Sequence, residues 1–310
     1  MSVYTNLTKR NLKEILKRYH IGNVRTFSGI SDGITNSNFY LNTTQGEYVL
    51  TIFEDINENK AKRYLELMSF FSNNNLCSPM IQRTSSDNFI SIYKGKPLAI
   101  MQKLEGETVK KSNIKLCKSL GCTIAQFHKT SLDYNKSIKN SRDIKWIDKS
   151  IKRVKSHLST NQVELLIEAK AIYKRFFNYK LPTGIIHSDL FKDNVLHKNN
   201  KVLGIIDYYY SFTGPFIYEL AVIINDWCVK PDGTIDSIKY HNLIEGYNSI
   251  KSLTTKENKY IKEALIAAAL RFYLSRLLDM IFPKVGEITH IKDPLIFEKI
   301  LLHRFSSLKQ

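Results

Sequence analysis

Apolar positions in the first hundred residues change period three times. Leu12, Ile15, Leu16 and Tyr19 recur at helical spacing behind Thr8, a residue type suited to an N-cap, and Gly22 is placed to close that helix. The pattern then predicts strands over 24–30, 38–43 and 48–53, the last two joined by a short turn through Gln45 and Gly46. Ala61, Tyr64, Leu65, Met68 and Phe71 return to the helical period and run into Asn73, Asn74, Asn75 and Pro79, which end a helix. Two more strands are expected over 88–93 and 97–102, with Lys94 and Gly95 between them.

From Glu105 the helical period dominates. Leu116, Leu120, Ile124 and Phe127 mark one helix and 163–177 another; a short β-rich interval, 184–207, interrupts them, and helices are expected over 216–227, 235–247, 257–282 and 294–305. A small sheet-rich part followed by a larger helical part is an α+β architecture. It divides into an N-lobe over 1–104 and a C-lobe over 105–310, with the connection at 101–105. No internal repeat or low-complexity linker breaks the chain.

Composition narrows the function classes. At 310 residues and 43% hydrophobic, the chain can bury a large core, and it lacks any apolar run long enough to span a bilayer. The first sixteen residues read as an amphipathic helix, not a signal-peptide core. Four cysteines without close CxxC pairing fit neither a zinc site nor a disulfide scaffold, so a reducing cytoplasm is expected. The formal charge of +17 has three readings: nucleic-acid binding, attraction of an anionic nucleotide, or lysines scattered over solvated faces. The basic residues form no long run, which favours scattered lysines and argues against nucleic acid as a partner.

The chemistry concentrates in one stretch. Residues 187–196 read HSDLFKDNVL between apolar pairs, and Asp207 follows the apolar run 202–206, thirteen positions after Asn194. Phosphoryl transfer requires a carboxylate to accept the attacking hydroxyl's proton and oxygen ligands to hold Mg2+ on the nucleotide phosphates. Asp189 suits the first role, and Asn194 and Asp207 the second. An Asx-rich turn between strands would explain any one of these residues. All three at kinase-like spacing, behind a small sheet-rich lobe, point to a catalytic loop and its metal-binding Asp.

HSDLFKDNVL with GIIDYYY (204–210), preceded by LGCTIAQFH (120–128), resembles the aminoglycoside phosphotransferase and choline kinase group, relatives of the protein kinases. SVYTNLT (2–8), GISDGITNSNFYL (29–41), GEYVLTIFE (46–54), YELAVIINDWC (218–228) and AAALRFYLSRLLD (267–279) are similar to that group's bacterial homoserine kinase branch. The resemblance runs from residue 1 to about 280. It implies a two-lobed protein-kinase-like fold, ATP and Mg2+ as cofactors, and transfer of the γ-phosphate to L-homoserine. The residues alone reach a small-molecule kinase; an aminoglycoside, choline or a sugar derivative stays open as acceptor, as does an inactive kinase fold.

The resemblance also assigns positions. Gly29, Ser31, Gly33, Thr35, Asn36, Ser37 and Asn38 fall where a phosphate-covering loop belongs, with Asn36 also a candidate for substrate contact. Thr51 stands where a kinase places its phosphate-binding lysine; Lys192 or a second metal are the candidates to replace that charge, and Glu66 on the following helix either faces the cleft or is a solvated helix glutamate. Gln102 and Leu104, in the connection, would read the adenine edge. On the substrate side, Arg271 or Arg276 suits a carboxylate and Asp226 an ammonium, against the alternatives of structural ion pairs and a helix cap. His187 and His128 read as structural histidines bonded to backbone.

Overall fold

The structure, a computed structural model, describes residues 5–30, 36–283 and 292–308. These form two compact units that meet in sequence between Glu105 and Gly106. The first begins with helix α1 (Lys9–Leu16), capped as expected: Thr8 Oγ1 accepts the Asn11 N–H at 3.2 Å. Strands β1 (Val24–Gly29), β2 (Asn36–Thr43) and β3 (Glu47–Phe53) follow, then α2 (Glu58–Asn73), β4 (Ile81–Gln82), β5 (Ser91–Tyr93) and β6 (Lys96–Gln102). The sheet runs β1-β2-β3-β6-β4, with β5 on β6, and every pairing is antiparallel. Alternation sends Phe39, Leu41, Leu50, Ile52, Leu98 and Ile100 to one face, where Leu12, Ile15 and Leu16 of α1 cover them. Each such side chain contributes about 1.5–3 kcal/mol when fully buried.

Two local expectations change here. The helix stops at Leu16, and Tyr19 leaves it to form a bridge with Thr84 while its hydroxyl donates to Ser91 Oγ at 3.1 Å. Gly22 therefore does not close α1. It turns the chain into β1 at φ +78°, where an added Cβ would lie 2.2 Å from Thr44 Oγ1.

The second unit contains β7 (Glu107–Thr108), α3 (Ile114–Thr130), α4 (Ile144–Val154), α5 (Thr160–Phe176), β8 (Thr183–Ile186), β9 (Val195–Lys198), β10 (Lys201–Ile205), β11 (Phe212–Pro215), α6 (Phe216–Trp227), α7 (Ser237–Asn248), α8 (Thr255–Ile281) and α9 (Leu295–Leu308). The expected β-rich interval is two small sheets, β10-β9-β7 and β11-β8, with the loop over 187–194 between β8 and β9. Helix α8 is buried on all sides from Ala264 to Leu274 and packs against α4, α5, α6 and α9. Helices α3 and α7 touch backbone to backbone. A Cβ at Gly121 would meet the Leu243 carbonyl oxygen at 2.1 Å, and one at Gly246 would meet the Lys118 carbonyl oxygen at 2.2 Å. Helix α4 and strand β11 are additions to the sequence reading. Among the described residues no helix is long and apolar enough to cross a membrane, and all four cysteines are free thiols.

His128, on α3, is buried and stacked on Phe216 with centroids 4.4 Å apart; its Nδ1 lies 2.9 Å from the Tyr247 hydroxyl. Burial, then the Lys251 charge, hold it well below its ordinary value of 6.5. The folded protein thus keeps it neutral, whereas the unfolded chain takes up a proton once the pH falls below about 6.5. Folding free energy should drop by up to about 1.4 kcal/mol per pH unit below that point for this residue. Thermal unfolding at pH 7 and pH 5 tests this: His128→Gln should lose less stability than the wild type, and equal losses would refute it.

Candidate active site

The loop after β8 is held from three directions. Ile185 and Ile186 are buried and deliver the chain to Ser188, which sits in the left-handed region at φ 61°. That conformation costs a non-glycine residue about 1–2 kcal/mol. A buried carboxylate on α6 offsets it: Glu219 accepts the backbone N–H of His187 and, at 2.9 Å, that of Ser188. Ser188 Oγ donates to the Tyr210 carbonyl at 2.7 Å. Burial pushes Glu219 up to about 8, although the two N–H groups pull the other way. His187 Nε2 lies 2.8 Å from the Ile206 carbonyl and its Nδ1 accepts the Asp189 N–H at 3.3 Å, an arrangement for a neutral ring. Burial lowers His187 to about 4, so its place in the loop is that of a backbone tie.

Asp189 leaves this turn with both oxygens contacted. Arg271 Nη1 donates to Oδ1 at 2.9 Å and Asn194 Nδ2 approaches Oδ2 at 3.3 Å, while Asn194 Nδ2 also donates to the Asp189 carbonyl at 2.7 Å. The Ile206 N–H donates to the Asn194 carbonyl at 3.1 Å, which brings Asp207 alongside. Asp207 is itself left-handed, at φ 68°. Its Oδ1 is buried without a hydrogen-bond partner, and burial, followed by Asp189 and Asp193, pushes its carboxyl up to about 7.

That orphaned oxygen is a test of fit for a cation. A buried carboxylate beside two others lacks a compensating charge, and a divalent ion would supply one. Asn194 uses its amide hydrogens on Asp189, so its amide oxygen is the second donor. Among the described residues no cluster of three His, Cys, Asp or Glu could hold a metal by itself. One carboxylate and one amide form the donor set of a hard cation whose shell is completed by water and phosphate oxygens. The residues fit.

The other expected site residues fall into two groups. Arg271, anticipated as a carboxylate binder, reaches the site but as the ion-pair partner of Asp189, with 4% of its side chain exposed. Arg276 instead donates to the Asp293 carbonyl at 2.9 Å and covers the Phe297 ring. Asp226 and Lys192 are engaged with each other: the Asp226 carboxylate accepts the Lys192 N–H at 2.9 Å, and the ammonium reaches the Asp226 carbonyl at 3.1 Å. Glu219, the brace of the loop, carries a signal in the sequence as the lone charge among the apolar residues 216–224. Its partners, backbone groups some thirty positions earlier, carry none.

In the first unit, Asn38 and Thr51 face each other across β2 and β3, and the Thr51 hydroxyl donates to Asn38 Oδ1 at 2.7 Å. Ser37 is fully buried and donates to Glu54, which also pairs with Lys96. Asn36 is buried opposite Phe53, and Gly29 pairs with Phe39. The side chains of Ser37, Asn38 and Thr51 are thus tied into the sheet. Ser31, Gly33 and Thr35 lie outside the described residues. Gln102 donates its N–H to the Met80 carbonyl at 2.8 Å, and Leu104 follows the end of β6.

Comparison with known proteins agrees with this geometry. Residues 26–252 match the profile of the phosphotransferase enzyme family, APH. A homoserine kinase of Methylobacillus flagellatus is 33% identical over 100% of this chain and 97% of its own length. One of Neisseria meningitidis serogroup B is 35% identical over 97% and 99%. Among solved structures, an amicoumacin kinase in complex with AMP-PNP and Ca2+ superposes with a TM-score of 0.72 at 13% identity, covering 98% of this chain and 93% of that one. A microcompartment-associated aminopropanol kinase gives 0.68 at 13% identity, over 97% and 95%. With a sheet-rich first unit, a mainly helical second unit and a family match across most of its length, the chain has a protein-kinase-like fold and belongs to the phosphotransferase enzyme family.

Proposed function

We propose that this enzyme transfers the γ-phosphate of ATP to the hydroxyl of L-homoserine, with Asp189 receiving the acceptor hydroxyl and Asn194 and Asp207 holding Mg2+. The observation that carries the chemistry is the convergence of those three side chains on one loop and one strand end, with a buried Asp207 oxygen left unpartnered. The full-length likeness to homoserine kinases supports the acceptor. Bound between Asn194, Asp207 and the nucleotide, the cation would neutralise charge on the phosphate oxygens.

Asp189 is held by its ion pair with Arg271. Its main contribution is to hold the acceptor hydroxyl in line; in a loose phosphoryl-transfer transition state little proton transfer is needed before bond breaking. Arg271 fixes the carboxylate for that task. The nucleotide contacts belong to the N-lobe, 1–104, through 29–38 and the connection at 101–105; the catalytic and acceptor groups belong to the C-lobe, 105–310. The hinge backbone near Gln102 and Leu104 takes the adenine edge. We place the enzyme in the cytoplasm, where its nucleotide and thiols find the conditions they need.

ADP release measured with MgATP and L-homoserine, L-serine, choline or kanamycin tests the reading. Turnover should be selective for L-homoserine. Preference for another of the four would retain the chemistry and overturn the acceptor.

A further inference from the structure

The acceptor reading calls for a cation that the residues so far described do not provide. Four basic side chains of this unit are already engaged. Arg271 holds Asp189 itself, Arg276 donates to the Asp293 carbonyl, Lys192 is on Asp226, and Lys292 lies 2.5 Å from the Asp193 carboxylate. The guanidinium of Arg142, in the loop just before α4, is not engaged in this way. Its Nε is buried and has no hydrogen-bond partner, and it makes no ion pair with any described carboxylate. Among the described residues its polar side-chain contact is a long one, from Nη2 to the Tyr210 hydroxyl at 3.5 Å.

This guanidinium is nevertheless held in place. Its carbon lies 4.6 Å from the Trp146 ring centroid and 5.1 Å from that of Tyr210. The Arg142 backbone is fixed on both sides: its N–H donates to Asn140 Oδ1 at 2.8 Å, and its carbonyl accepts the buried Tyr173 hydroxyl at 2.7 Å. Aromatic faces fix a guanidinium without satisfying its N–H donors, which leaves the planar fork ready for an anion. Arg271 packs on the same Tyr210 ring, with its guanidinium carbon 5.0 Å from the centroid. The two guanidinium carbons therefore lie within about 10 Å of each other across a shared ring, and one of them grips Asp189.

We propose that Arg142 is the residue that receives the carboxylate of the acceptor. The assignment rests on the amino-acid reading of the acceptor given above and names the group that enforces it. In an extended 2-amino-4-hydroxybutanoate the carboxylate carbon is about 5 Å from the hydroxyl oxygen. With hydrogen bonds of about 2.8 Å at either end, that molecule spans about 10 Å, the same order as the upper bound that the shared Tyr210 ring sets on the separation of the two guanidinium carbons. An amino alcohol without the carboxylate would leave the buried Arg142 Nε unpaired, which the site would resist.

Steady-state kinetics on wild type, Arg142→Met and Arg142→Lys, with L-homoserine and with 3-amino-1-propanol, test this. The second acceptor is the same chain with hydrogen in place of the carboxylate. Wild type should prefer L-homoserine. Arg142→Met, which keeps an apolar stem between the two rings, should reduce that preference on the order of 100-fold, through KM for L-homoserine and not KM for MgATP. Arg142→Lys keeps the charge without the fork and should lose about tenfold; it carries the test alone if Arg142→Met does not fold. An undiminished preference in the folded variants overturns the assignment and leaves the acceptor reading standing. Absence of L-homoserine turnover in the wild type overturns the acceptor reading first, and this assignment with it.

Discussion

Asp189→Asn should lower kcat with L-homoserine by about 10²–10⁴-fold while the protein stays folded. The new side chain retains an oxygen for Arg271 but loses the charge that Arg271 was buried against, so some loss of stability is expected alongside the loss of rate. The two effects separate when kcat is measured at saturating substrates, well below the variant's own unfolding temperature. Asp189→Ala removes the acceptor oxygen altogether and should be at least as slow. Turnover within tenfold of wild type in either variant would end the assignment of Asp189 to the acceptor hydroxyl.

Glu219→Ala should affect both stability and rate without touching a substrate. It leaves the backbone N–H groups of His187 and Ser188 buried and unpaired, each at about 1–3 kcal/mol, and frees Ser188 from the left-handed turn that sets the direction of Asp189. A melting temperature lowered by several degrees, with kcat reduced on the order of tenfold or more and KM for MgATP nearly unchanged, is the expected pattern. Glu219→Gln keeps one acceptor oxygen and should fall between. If Glu219→Ala melts early but turns over normally once folded, the brace is structural alone.

How much of this the sequence revealed depends on the distance over which each interaction acts. Asp189, Asn194 and Asp207 were legible because nineteen consecutive residues bring them together; a loop between two strands fixes their spacing almost by itself. The same locality made Thr8 readable as a cap. What failed was the reading of partners. Asp226 and Lys192 each looked available for a ligand, and the fold spends them on one another across thirty-four positions. Arg271 stood out as a charge in an apolar helix, but its partner, eighty-two positions away, carries no local trace. Arg142 stood in an ordinary polar loop, and only the folded chain shows that its Nε is buried with no acceptor. Helix α4 went unread for a related reason: its apolar stripe of Ile147, Ile151 and Val154 is short and set among lysines. Tyr19 fits the helical period of α1, yet bridging to Thr84 wins over one more turn of helix.

The glycine seam between α3 and α7 reaches further than its position suggests. With Gly121 and Gly246 each facing a carbonyl oxygen across it, neither helix can admit even a methyl group without moving aside by about 1 Å. Helix α3 is also the mooring of β10, because the Val202 N–H donates to Ser119 Oγ at 3.1 Å, and β10 is the strand that leads into Asp207. The seam therefore acts as a gauge block, and whatever fixes the spacing of these two helices also calibrates the position of the Asp207 carboxylate. A methyl group at either glycine would be felt as a displaced Asp207 with every site residue still present.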